Sequence, residues 1–79
     1  MMQDIIEYVV KQLVETPESV RVSVEKTDDG HVFKIMVEEQ DRGKVIGRQG
    51  QTIKALRMLI SATHPDVGKV SVDVLTPAS

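Results

Sequence analysis

Three short segments of this 79-residue chain alternate apolar and polar residues with the period of a β-strand: Val20, Val22 and Val24; Phe33, Ile35 and Val37; and Val70, Val72 and Val74. A period of two buries one face only, so three such strands make a single small sheet that needs cover on its apolar side. The opposite positions, Arg21, Ser23, Glu25, Lys34, Glu38, Ser71 and Asp73, are a mixed polar set suited to water.

The cover comes from segments with helical period. Ile5, Ile6, Val9, Val10, Leu13 and Val14 form an aliphatic stripe down a first helix, with Asp4 and Glu7 as a loose capping box and Thr16-Pro17 as its stop. Thr27-Asp28-Asp29-Gly30 joins the first two strands, Asp-Gly being a strong hairpin signal. Asp41 is placed to cap a short helix over Arg42 to Ile46, which Gly47 stops. A longer helix from about Gln51 to Thr63 sets Ile53, Leu56, Leu59, Ile60 and Thr63 on one face and Lys54, Arg57 and Ser61 on another, closed by Pro65 and Gly68. Thr76 to Ser79 read as a frayed tail.

The segment between the second and third strands is long enough for a crossover. Those strands can therefore lie parallel, with a right-handed return over one face. The expected fold is α+β, in the order α-β-β-α-α-β, with a three-stranded mixed sheet and three helices on one face. A chain of this length buries one core, so residues 1–79 are expected to form one domain.

Composition excludes several classes. There is no cysteine, which rules out disulfides and thiolate metal sites or nucleophiles, and the cytoplasm is the expected compartment. No apolar run approaches the ~18 residues of a membrane span, and acidic Asp4 and Glu7 do not suit a secretory signal. His31 and His64 each lack a second ligand or carboxylate at metal or general-base spacing. No metal, cofactor or enzymatic activity is expected.

The net charge of −2 conceals a segregation. Between Arg42 and Pro65 there is no Asp or Glu, while Arg42, Lys44, Arg48, Lys54 and Arg57 supply five positive charges. The rest of the chain carries twelve acidic side chains against five basic ones. Screening over about 8 Å at physiological salt means that an approaching phosphate feels the local patch rather than the total.

At the centre of that segment, Gly47-Arg48-Gln49-Gly50 stands between the short and the long helix. Two glycines three apart turn the backbone sharply and leave its amides open to an anion, beside a helix N-terminus that favours negative charge. Alone, such a pair is often only a tight turn. Here basic residues stand before, within and after it, in Gly43-Lys44-Val45-Ile46-Gly47-Arg48-Gln49-Gly50-Gln51-Thr52-Ile53. A nucleotide-hydrolysing P-loop is disfavoured because no lysine follows Gly50, and the dinucleotide fingerprint is absent. Gly43 and Gly47 also read as a membrane-helix packing pair, but the lysine between them excludes that reading.

With its Ile-Gly-x-x-Gly-x-x-Ile core from Ile46 to Ile53, the chain resembles the KH domain family in its type II arrangement. Within it, Leu13-Val14, Pro17, Asp41, Gly43-Lys44-Val45-Ile46-Gly47 and Ala55-Leu56-Arg57 resemble the small bacterial KH proteins of the KhpA kind. The resemblance covers almost the whole chain. It implies binding of about four nucleotides of single-stranded RNA, the backbone clamped by the loop. It also implies an apolar base cleft beside Val45, Ile46 and Ile53, bounded by the strand Phe33 to Val37 and the loop His64 to Gly68. The expected RNA-binding residues are Lys44, Val45, Ile46, Gly47, Arg48, Gln49, Gly50, Thr52, Ile53, Lys54 and Arg57. Aromatic content of 3% removes the stacking platform of an RRM or OB module, which an aliphatic cleft does not need. The alternative is a protein-interaction module, in which the same helices and loop form a homodimer or pair with another KH-containing protein.

Overall fold

The computed structural model describes residues 2–64, 66 and 68–77. Its elements are α1 (Met2–Leu13), β1 (Arg21–Lys26), β2 (Gly30–Met36), α2 (Arg42–Ile46), α3 (Gln51–Thr63) and β3 (Lys69–Leu75), in the order read from the sequence. Strand β2 is central, antiparallel to β1 and parallel to β3. The hairpin closes with the Thr27 amide donating to the Gly30 carbonyl at 2.8 Å. Val22 lies opposite Ile35 across β1 and β2, and Val72 opposite Phe33 across β2 and β3, so the valines of the edge strands share one face with the apolar residues of the centre.

That face meets the helices in one core: Ile6 and Val10 from α1, Val20, Val22, Phe33, Ile35, Val37 and Val70 from the sheet side, Val45 from α2, and Leu56 and Ile60 from α3. Burying each such side chain stabilises the fold by about 1.5–3 kcal/mol, with shorter valines near the lower end.

The helical stripe of α1 is wider than the surface that receives it. Ile6 and Val10 seat fully and Val9 and Val14 in part, whereas Ile5 is 50% and Leu13 38% exposed. A three-stranded sheet offers α1 little more than β1, so only the middle of the stripe finds a partner. Asp4 is not a cap, because α1 begins at Met2; it sits in the first turn, where it complements the helix dipole. The helix ends at Leu13, before Thr16, and Pro17 opens a 3₁₀ turn over Pro17–Ser19. Val24, expected inside, is 37% exposed in the hairpin half of the edge strand β1. Leu59 and Thr63 of α3 are exposed too, leaving Leu56 and Ile60 as its buried line. Pro65, read as a helix stop, and the tail residues 78–79 lie outside the described residues.

Asp41 does something other than cap α2. No side-chain cap hydrogen bond is made there. Its carboxylate is completely buried and accepts from the backbone amides of Glu15 at 3.1 Å and Thr16 at 3.0 Å, just past the end of α1. Gln40 adds a bond from Nε2 to Thr16 Oγ1 at 3.1 Å. A five-residue helix has no stability of its own in water. This tether, together with buried Val45, fixes where α2 starts and therefore where the glycine loop that follows it stands.

Candidate nucleic-acid interface

The loop between α2 and α3 takes its shape from its glycines. Gly47 has φ +79° and ψ 167°, a conformation reserved for glycine, and a Cβ there would overlap the Thr52 hydroxyl and lie 2.8 Å from the Thr52 amide nitrogen. Thr52 is thus the packing partner of the turn. Gly50 has φ +74° and ψ 16°, and a Cβ there would sit in ordinary contact with Ile53 Cγ2 at 3.9 Å, so only its backbone conformation demands glycine. The Gly50 amide donates to the Gly47 carbonyl at 3.0 Å, which closes the turn. Between them Gln49 adopts φ +56°, the left-handed region, and both Arg48 and Gln49 project into solvent. No side chain caps α3 at Gly50, and the Gln51 amide donates back to the Arg48 carbonyl, so the N-terminal end of this 13-residue helix stands directly beside exposed Arg48.

From that end a cleft of about 330 Å³ runs along α3, lined by Ile53, Lys54 and Arg57 on one side and Lys69, Val70, Ser71 and Val72 on the other. Two of the expected positions need correction. Val45 is fully buried and belongs to the core, not to any ligand-facing surface. The second wall is β3 rather than β2: Phe33 and Ile35 are buried in a strand paired on both sides, and Val37, just past its end, is buried too, which leaves no free edge to line a cleft. That placement follows from a hairpin plus a parallel crossover, since together they put β2 in the middle. Ile46 is half-buried at the C-terminus of α2.

Lys44 is occupied. Its ammonium pairs with the Glu15 carboxylate and stands 3.8 Å from Asp41, on the tether side of α2. The positive charge it brings to the acid-free segment is largely offset by a residue 29 positions earlier. Conversely, the sequence reading did not include Lys69, which brings a cation to the cleft from β3. Its signal was faint: it directly precedes the valine alternation and follows a short connection from the basic helix. Arg48, Lys54, Arg57 and Lys69 are the cations around the loop and cleft, and no carboxylate lines the cleft among the described residues.

A three-stranded mixed sheet with helices in the order α-β-β-α-α-β, and a Gly-x-x-Gly loop between the second and third helices, defines a type II KH fold. The same fold occurs in solved structures of Era: one in complex with MgGDPNP and nucleotides 1506–1542 of 16S ribosomal RNA, at a TM-score of 0.64 and 20% identity, and a single-substitution variant of Aquifex aeolicus Era bound to GDP·AlF4⁻, at 0.58 and 21%. This chain is covered to 99% and 95% and corresponds to 31% and 29% of those longer chains. The family model described as KhpA/KhpB, KH domain, matches residues 3–74, and the chain belongs to that family. Relatives named RNA-binding protein KhpA include those of Leifsonia xyli subsp. xyli, 41% identical over 75 residues (95% of this chain, 97% of the relative), and Listeria monocytogenes, 43% over 61 residues (77% and 80%). That of Chlamydia trachomatis is 36% identical over 75 residues (94% and 96%).

Proposed function

We propose that this chain binds single-stranded RNA, holding the phosphate backbone on the Gly47–Gly50 loop and the N-terminus of α3 and laying bases into the cleft between α3 and β3. The observation that carries the reading is the junction of a solvent-facing glycine turn, a helix N-terminus that no side chain caps and an acid-free cleft flanked by Lys54, Arg57 and Lys69. The relatives' shared name supports the same ligand class. Arg48 and Lys54 contact phosphate, Ile53 and Val72 offer apolar surface to bases, and Gly47, Gly50 and Thr52 hold the turn.

The test is electrostatic. With about two to four phosphate contacts, log affinity for a fluorescent single-stranded RNA should fall against log salt with a slope of about −0.7 per contact. Lys54→Ala should make that slope shallower by about 0.7 while leaving the circular dichroism spectrum unchanged. A slope near zero in the wild type would remove the phosphate clamp.

A pairing function for the same chain is favoured by a separate observation: Ile5, Tyr8 and Leu13 break the surface of α1, away from the cleft. In this reading two copies, or this chain and a second KH-containing protein, meet through α1. Sedimentation of wild type against Tyr8→Glu measures it.

A further inference from the structure

Beyond the cleft described above the groove does not stop. A second depression of about 570 Å³ is lined by Arg57, Met58, Ser61, Ala62, Gly68, Lys69 and Val70, so that Arg57, Lys69 and Val70 border both. Each volume lies in the ~300–1,000 Å³ range of sites that take a drug-sized ligand. Along α3 the combined groove extends from Ile53 to Ala62, ten residues spanning about 14 Å of helix.

We propose that this second depression is a further nucleotide subsite, which receives one more unpaired base of the same RNA strand beyond those held in the first cleft. The proposal rests on the RNA-binding reading and extends its footprint. Three features point to a nucleotide rather than to another ligand. The two cations common to both depressions, Arg57 and Lys69, stand at the junction, where the phosphate joining a base in one to a base in the other would lie. No carboxylate lines either depression among the described residues, in a chain with more acidic than basic side chains. The lining supplies both parts of base recognition: the thioether of Met58, 66% exposed, and the Ala62 methyl form an apolar wall for a base face, and the Ser61 hydroxyl is a donor and acceptor for a base edge. In a chain with two aromatic residues, a soft, polarisable methionine is the available surface on which a base can rest.

Fluorescent single-stranded RNAs of random sequence, four to seven nucleotides long, measure the footprint by anisotropy. Wild type should tighten by about two- to tenfold when the RNA lengthens from four nucleotides to five or six, then level off, as expected for one base resting on a methionine. Extension at only one end of the RNA should have this effect, because the loop fixes the direction of the strand. Met58→Ala strips the apolar wall and Ala62→Leu fills the depression; both are exposed helix positions that accept good helix formers. Both variants should bind the tetranucleotide within twofold of wild type and lose the gain with length. A gain that survives both substitutions, or no gain in a wild type that binds the tetranucleotide, overturns the subsite and leaves the first cleft standing. Variants that change the oligomeric state by light scattering but keep the gain would make this surface a protein contact, and the subsite falls. If no RNA of any length binds, the reading of the first cleft falls with it.

Discussion

Gly30→Ala should lower the melting temperature by at least about 10 °C, and more if the sheet opens. Gly30 begins β2 opposite Lys69, and a Cβ built on it would overlap the Lys69 carbonyl oxygen while approaching the Lys69 nitrogen within 2.6 Å. The obstruction is backbone, which cannot swing away as a side-chain tip can. Relief requires separating the first residues of β2 and β3, where the Lys69 amide also donates to the Asp29 carbonyl at 3.0 Å. Overpacking costs about 1–3 kcal/mol in an adaptable core, and a rigid neighbour places this substitution at or above the upper end. A domain of this size has roughly 4–12 kcal/mol in all, and each kcal/mol is worth about 4–8 °C. Thermal unfolding followed by circular dichroism measures the shift. A variant melting within about 3 °C of wild type would show that the two strands do not approach this closely.

Asp41→Ala should cost about 3 kcal/mol or more, and should weaken RNA binding beyond what the unfolded fraction explains. The substitution removes a buried carboxylate that accepts two backbone amides, leaving the Glu15 and Thr16 donors without it. Hydrogen bonds to a charged group contribute about 1.5–3 kcal/mol each, and unmet donors add their own desolvation cost. Lys44 would also lose one of its two acidic neighbours. Because the tether sets the start of α2, its loss lets the glycine loop shift relative to the sheet. Urea titration gives the stability, and RNA titration under conditions where the variant is more than nine-tenths folded gives the binding. Asp41→Asn, which keeps one carbonyl acceptor, should fall between the two. Equal stability of Asp41→Ala and wild type would contradict the tether.

The different legibility of these features has a physical origin. Elements were readable where hydrophobic period changes sharply: the α3 span Gln51–Thr63, the Asp29-Gly30 hairpin and the valine alternation of β3 all announce themselves within a dozen residues. The Gly-x-x-Gly turn is local too, since positive φ at Gly47 and Gly50 depends on residues immediately around them. What stayed hidden depends on distances between remote segments. Asp41 read as a cap because a helix follows it, yet its partners lie 25 and 26 residues earlier. Lys44 read as a free phosphate ligand until Glu15 was brought beside it. Gly30 read as a turn glycine, while the closest constraint on it comes from Lys69 across the sheet. The choice of β3 as cleft wall likewise follows from strand order, and the burial of Val45 from the packing of α2 into the core, neither from any one segment.

The most direct test of the clamp is to place negative charge where phosphate should sit without disturbing the turn. Arg48→Asp with Gln49→Asp keeps both glycines, and aspartate tolerates the left-handed conformation of residue 49 better than most side chains. Wild type and variant are compared for binding to a fluorescent single-stranded RNA of mixed sequence, at two salt concentrations, with circular dichroism to establish folding. The loop as phosphate clamp predicts salt-dependent binding by wild type and at least a tenfold loss in a variant that is fully folded. A folded variant that binds as tightly as wild type, with the same salt dependence, would contradict it.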